Sequence, residues 1–152
     1  MKNIKIKWQP SIQEIPKTIW NNFQEKNSNP FYKWDWLYAL EKSGSVNTKY
    51  GWQPLFLCAW SEKDLIACAP LYLKSHSYGE FIFDNAFVQL AQDMGLQYYP
   101  KLIGMSPLSP IEGYRFFFRE GINEEELTEL LISEINIFVR SVLLTPSAKR
   151  KR

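Results

Sequence analysis

The sequence predicts an α/β domain built on a mixed, mainly antiparallel sheet with flanking helices. Two apolar runs, residues 54–60 and 65–74, lie on either side of the polar stretch Ser61-Glu62-Lys63-Asp64. Both runs are apolar at odd and even positions alike, the pattern of a hairpin covered on both faces. Segments of helical periodicity, each opened by a capping residue, stand before and after them. A chain of 152 residues can bury roughly two thirds of its unfolded surface.

Each element follows from local pattern. Ile4, Ile6 and Trp8 alternate with lysines, giving a half-buried opening strand that Pro10 ends. Ser11-Ile12-Gln13-Glu14 has capping-box spacing, and Ile15, Ile19, Trp20 and Phe23 follow at helical intervals, predicting one helix to about Phe23. Asn29 and Pro30 suit the N-cap and N1 positions of a second helix, with Phe31, Trp34, Leu37, Tyr38 and Glu41 on one face and Gly44 at its close. After the central hairpin, Phe81 to Phe83 reads as a short strand. Asn85 to Gly95 reads as a helix with Phe87, Leu90, Ala91 and Met94 turned inward.

Tyr98 to Met105 is a further strand candidate, and Ser106-Pro107-Leu108-Ser109-Pro110 an extended crossing segment, since proline cannot donate to a ladder. Tyr114 to Arg119 is strand-like. Asn123 and Glu126 form a capping box for a last helix that buries Leu127, Leu130, Leu131, Ile135 and Phe138. Beyond Val142-Leu143-Leu144 the chain reaches Pro146 and a basic tail where an α/β layout calls for another strand and helix. The pattern predicts a shortened domain at 1–144 and a tail at 145–152.

Composition narrows the function classes. Apolar residues at 45% and charged residues at 22% are globular values, and 16% aromatics supply large pieces of core or cleft wall. The net charge of +2 sits largely in Lys149-Arg150-Lys151-Arg152, which speaks against DNA as a partner. No run approaches the 18 or more apolar residues of a membrane span, and the N-terminus alternates instead of forming a signal-peptide core, so a cytoplasmic location is expected. Cys58 and Cys68 are then expected as free buried thiols. One histidine and two strand-embedded cysteines do not make a metal ligand set.

The densest polar cluster is the connection after the hairpin. Lys74, Ser75, His76, Ser77, Tyr78 and Glu80 follow one another between two apolar runs. A turn histidine near its ordinary pKa of about 6.5 can move protons, Lys74 can neutralise an anion, and Glu80 or Asp84 can act as a base. The same composition also makes a plain soluble turn. A Ser-His-acid triad does not fit, because adjacent Ser75, His76 and Ser77 diverge. Tyr98-Tyr99-Pro100-Lys101 offers stacking rings beside a cation, or ordinary wall packing. Glu124, Glu125 and Glu126 crowd the last helix start, where a cofactor pyrophosphate would otherwise bind.

Taken together, Asn29-Pro30-Phe31, Trp36 to Val46, Gly51-Trp52-Gln53-Pro54, the Ala69-to-Asp84 block and Gly95 to Leu102 with Pro107 and Pro110 resemble the FemAB-like peptidoglycan biosynthesis/recognition proteins of the GNAT-type N-acyltransferase superfamily. The resemblance runs from about Ser11 to Glu134, and Pro70 to Glu80 is its most specific part. It implies a GNAT-like fold and transfer of an acyl or aminoacyl group to an amine. It also implies acyl-CoA or aminoacyl-tRNA as co-substrate, with no tightly bound cofactor, and a small-molecule or cell-wall-precursor acceptor. His76 and Glu80 are then the catalytic candidates, and Lys74, Ser75, Ser77, Tyr78, Tyr99 and Lys101 the substrate-binding ones. Family members are more than twice this length, with two GNAT-like halves. The superfamily's glycine-rich pyrophosphate loop is missing here. The resemblance therefore leads us to expect a truncated or split product that needs a second half, or a non-catalytic module that recognises a precursor.

Overall fold

In a computed structural model the described residues are 3–23, 29–78, 83–111 and 116–143. They form an open five-stranded antiparallel sheet with four α-helices. Strand β1, Ile4–Gln9, pairs with β2, Trp52–Ser61, and β2 pairs with β3, Asp64–Lys74. The far edge of β3 is shared by two short strands: β4, Lys101–Ile103, opposite Tyr72 to Lys74, and β5, Phe117–Phe118, opposite Ala67 and Cys68. The hairpin is central, as its two-faced apolar pattern requires. Phe56, Leu57, Cys58, Ala59, Ala67, Cys68 and Ala69 are fully buried.

The chain falls into two compact units, residues 1–122 and 123–152. In the first unit the core gathers Ile12, Ile15, Trp20, Tyr32 and Leu37 from the first helical layer with Trp52, Phe56, Cys58, Cys68 and Tyr72 from the sheet. Trp20 packs edge-on against Phe56, and Trp52 and Phe56 edge-on against Tyr72, the preferred geometry for aromatic pairs. The second unit holds α4, Glu124–Phe138, with Leu127 and Leu131 buried and Asn123 accepting from the Glu126 N–H. Leu130, Ile135 and Phe138, expected inward, are only half-buried. The helix runs on as a π turn, Val139–Leu143.

Several expectations are corrected. The first helix is two pieces, a 3-10 turn at Ile12–Glu14 and α1 at Lys17–Phe23, because Pro16 forces Ile15 out of the helical region. Ser11 accepts from the Gln13 N–H. The carboxylate that completes this cap is Glu41, which takes the Ile12 N–H at 2.9 Å and a short hydrogen bond from the Ser11 hydroxyl. The second helix likewise begins as a 3-10 turn, Pro30–Tyr32, capped by Asn29, before α2, Trp34–Lys42. Helix α3, Asn85–Asp93, exists, but Phe87, Leu90 and Met94 face outward and no residue of the helix is buried. The strand expected over Tyr98 to Met105 shrinks to β4, and the one over Tyr114 to Arg119 to β5, residues 112–115 lying outside the described set. Phe83 is outside any strand, and Phe81 and Ile82 are not among the described residues. The basic tail at 145–152 also lies outside them.

Candidate functional site

Two neighbouring sites emerge where β3 ends. The first is an open cleft of about 500 Å³ lined by Ser43, Gly44, Ser45, Lys49, Tyr50, Trp52, His76, Tyr78 and Leu108. Its near wall is a compact bend. Gly44 (φ +78) ends α2, Asn47 accepts from the Tyr50 N–H, the 3-10 turn Thr48–Tyr50 follows, and Gly51 (φ +72) swings the chain into β2. Only glycine takes that left-handed conformation without cost. A Cβ on Gly51 would lie 2.5 Å from His76 Nε2 and 2.7 Å from Ser75 Oγ, so the bend and the connection after β3 are in intimate contact. The Ser75 N–H donates to the Gly51 carbonyl at 3.1 Å.

At the rim, Tyr78 is 84% and Tyr50 54% exposed, which leaves two aromatic rings with free faces. Lys49 sits 5.6 Å from the Tyr50 ring centroid, and the Ser43 and Ser45 hydroxyls are 2.9 Å apart. The His76 ring packs against Tyr78, and its Nδ1 accepts the Tyr78 N–H at 3.2 Å. In the neutral imidazole the proton is then on Nε2, the nitrogen packed against Gly51. Lys74 does not reach the surface. It is fully buried, with its ammonium 4.0 Å from the centroid of the Trp52 ring that forms part of the cleft wall.

The second site is a polar clasp. Asp84 Oδ2 accepts from Ser77 Oγ and Tyr98 OH, both at 2.9 Å, and from Lys101 Nζ at 2.5 Å. Ser77 Oγ in turn accepts from Tyr99 OH and Lys101 Nζ at 2.7 Å. Asp84 and Lys101 side chains are 6% and 15% exposed. Burial alone would raise the Asp84 pKa. The hydrogen bonds from Lys101, Ser77 and Tyr98, with the Lys101 charge, outweigh it and hold the carboxyl below its usual range.

The expected site residues therefore divide. His76 and Tyr78 line the cleft, whereas Ser77, Tyr99 and Lys101 join Asp84 and Tyr98 in the clasp. Ser75 is exposed beside Gly51, Lys74 lies buried against Trp52, and Glu80 is outside the described residues. Of these candidates, His76 and Tyr78 are the ones that line the cleft among the described residues. Asp84, considered as a free base, is buried, with its Oδ2 taken up by three donors. Sequence reasoning passed over Ser43, Ser45, Lys49 and Tyr50. The signal was available in two glycines seven apart bracketing an asparagine cap, the pattern of a shaped loop.

Elsewhere, Cys58 and Cys68 face each other across the hairpin as free thiols, their sulfurs 3.6 Å apart. Burial, then the Cys58 hydrogen bond, pushes the Cys68 thiol well above its usual pKa. Among the described residues no group of three metal-ligating side chains assembles, and no helix is long and apolar enough to cross a membrane.

The cleft beside the sheet is lined by aromatic rings and hydroxyls. The chain belongs to the FemAB-like family, described as peptidoglycan biosynthesis/recognition, whose pattern it matches over residues 11–146. Its role is accordingly related to the cell wall. Neither the curated proteins nor the solved structures give a match.

Proposed function

We propose that this chain binds the acceptor in an acyl or aminoacyl transfer to an amine of a peptidoglycan precursor, and that the acceptor lies in the cleft between Tyr50 and Tyr78. The observation that carries this reading is the lining of the cleft. Free aromatic faces suit sugar rings, the Ser43 and Ser45 hydroxyls suit sugar hydroxyls, and Lys49 suits a carboxylate or phosphate on the precursor. His76 shapes the cleft wall, its Nδ1 engaged by the Tyr78 N–H and its Nε2 packed against Gly51.

In the reaction the amine nitrogen attacks the carbonyl carbon of a thioester or aminoacyl ester. The thiolate or ribose oxygen leaves with the bonding pair, and the amine proton passes to a base. Acyl-CoA or aminoacyl-tRNA would be the donor, which places the reaction in the cytoplasm. The donor site is assigned to a second GNAT-like half. In this chain Asp35 stands in the first turn of α2 and Glu124, Glu125 and Glu126 in that of α4, where carboxylates repel a pyrophosphate. The same carboxylates favour the other reading, a recognition module without turnover.

The test is a calorimetric titration of the full chain with a muramyl pentapeptide and, separately, with acetyl-CoA. Binding of the muropeptide, weakened about tenfold or more in Tyr50→Ala, equivalent to about 1.4 kcal/mol, is the expected result. No acetyl transfer to the peptide amine is expected from this chain alone. Muropeptide binding indifferent to Tyr50, or absent, refutes the cleft assignment. Acetyl-CoA binding with turnover refutes the missing donor site.

A further inference from the structure

The least expected feature of the molecule is α3. Its sequence, NAFVQLAQD, is amphipathic, yet the helix has no buried residue. Phe87, Leu90 and Met94 are 65%, 54% and 63% exposed, and Phe83 and Leu96 at its two ends 89% and 58%. Residues 87, 90 and 94 are spaced three and four apart along the helix, the narrow a/d seam by which one helix packs against another, and Phe83 and Leu96 extend the apolar surface beyond its two ends.

We propose that this seam is a homodimer interface, in which α3 packs antiparallel against α3 of a second copy with Leu90 near the two-fold axis. Three observations select that occupant. First, the seam is self-complementary: its apolar side chains are unbranched at Cβ and of similar size, and the flanking Asn85, Gln89 and Gln92 are neutral, so two identical faces meet without charge repulsion. Second, Asp93 is the only charged residue of the helix, and an antiparallel pairing sets the two copies of it at opposite ends of the contact. A helix lying on a lipid surface would instead carry Lys and Arg along its polar face, and α3 has none. Third, the area is adequate. With a fully exposed aromatic side chain at roughly 150–250 Å² and Leu or Met somewhat less, the five side chains present on the order of 600 Å² per copy. Flanking polar atoms bring this close to the roughly 800 Å² per partner of a stable interface. Helix–helix pairing also supplies α3 with the apolar cover it lacks among the described residues.

The experiment is sedimentation velocity of the full chain over a concentration series. The mass is expected to rise from 17.9 kDa toward twice that value. The double variant Phe87→Glu, Leu90→Glu should stay at the single-chain mass with an unchanged melting temperature, since both positions are exposed in the single chain. As a second measurement, Leu90→Cys should yield a covalent dimer that reductant reverses. A single-chain mass at every concentration overturns the proposal, as does a dimer untouched by the double variant. Flotation of a monomeric wild-type chain with phosphatidylcholine vesicles overturns it in favour of a lipid surface.

Discussion

Replacing Lys101 with methionine should expose how much of the fold depends on the clasp at Asp84. The substitution keeps the aliphatic stem and removes the ammonium, leaving a carboxylate 6% exposed beside an apolar side chain. Breaking a buried ion pair from one side costs about 3–5 kcal/mol. Ser77 and Tyr98 still donate to Asp84, so the low end applies, about 3 kcal/mol. For a domain of this size that is a fall of roughly 6–12 °C in melting temperature. Urea denaturation at pH 7 of the wild type, Lys101→Met, Asp84→Asn and the double variant measures it. The double variant should recover part of the loss, because an amide tolerates burial without a counter-charge, and the resulting coupling should exceed about 1 kcal/mol. The pH dependence has opposite signs in the two proteins. In the wild type the folded-state pKa of Asp84 is lowered, so its stabilisation is present above the unfolded-state carboxylate pKa and is lost as pH falls through the folded value. In Lys101→Met burial is no longer outweighed, protonation of Asp84 relieves the strain, and stability should rise as pH falls into the carboxylate range. A cost under 1 kcal/mol, additive singles, or the same pH slope in both proteins would show that the clasp is not the anchor described.

Gly51→Ala combines a left-handed φ of +72 with a Cβ 2.5 Å from His76 Nε2, so it should cost about 1–2 kcal/mol and shift the His76 imidazole resonances; an unmoved imidazole spectrum would disprove the contact. Leu57→Asp puts an unpaired charge at a position with no exposure in the central hairpin, and should leave the chain unfolded or several kcal/mol weaker by circular dichroism. Glu41→Gln removes the charged acceptor from the Ile12 N–H and Ser11 hydroxyl and should cost about 1–2 kcal/mol in chemical denaturation, whereas Glu14→Gln should cost little. Neither thiol should react with Ellman's reagent in the native protein, and both should in guanidinium; native reactivity would mean that Cys58 and Cys68 are not enclosed.

What the sequence makes legible is what local pattern determines. The hairpin could be read because burial on both faces writes itself into every residue of 54–60 and 65–74. The opening strand and α4 were legible through alternation and a side-chain cap. The partner of Ser11 was not, because Glu41 is 30 residues away and only tertiary structure brings it there. Periodicity shows that α3 has an apolar face but carries no information on whether anything covers it. In the candidate site, His76 and Tyr78 were found as residues of a polar connection. Their neighbours Lys49 and Tyr50 come from a different stretch of chain, and two turn glycines were the only local sign of it. Lys74 and Asp84 looked like free charged groups. Burial against Trp52 and beneath Lys101 is a three-dimensional fact that residue type does not encode.

Ser106 ties distant parts of the first unit together. Its N–H donates to Tyr32 OH, its hydroxyl donates to the Phe31 carbonyl and accepts from Trp36 Nε1, and its carbonyl accepts from Ser109 Oγ. The partners Phe31, Tyr32 and Trp36 precede it by 70 to 75 residues. During synthesis, therefore, the helical layer around residues 30–36 is made long before the group that satisfies it. At about 5–20 residues per second, the ribosome holds Tyr32 and the Phe31 carbonyl without their partner for several seconds. A nascent chain stopped short of Ser106 has hydrogen-bonding groups in a would-be core with nothing to close on. Completion of this layer waits on residue 106, and any chaperone that shields the nascent chain would act in that interval.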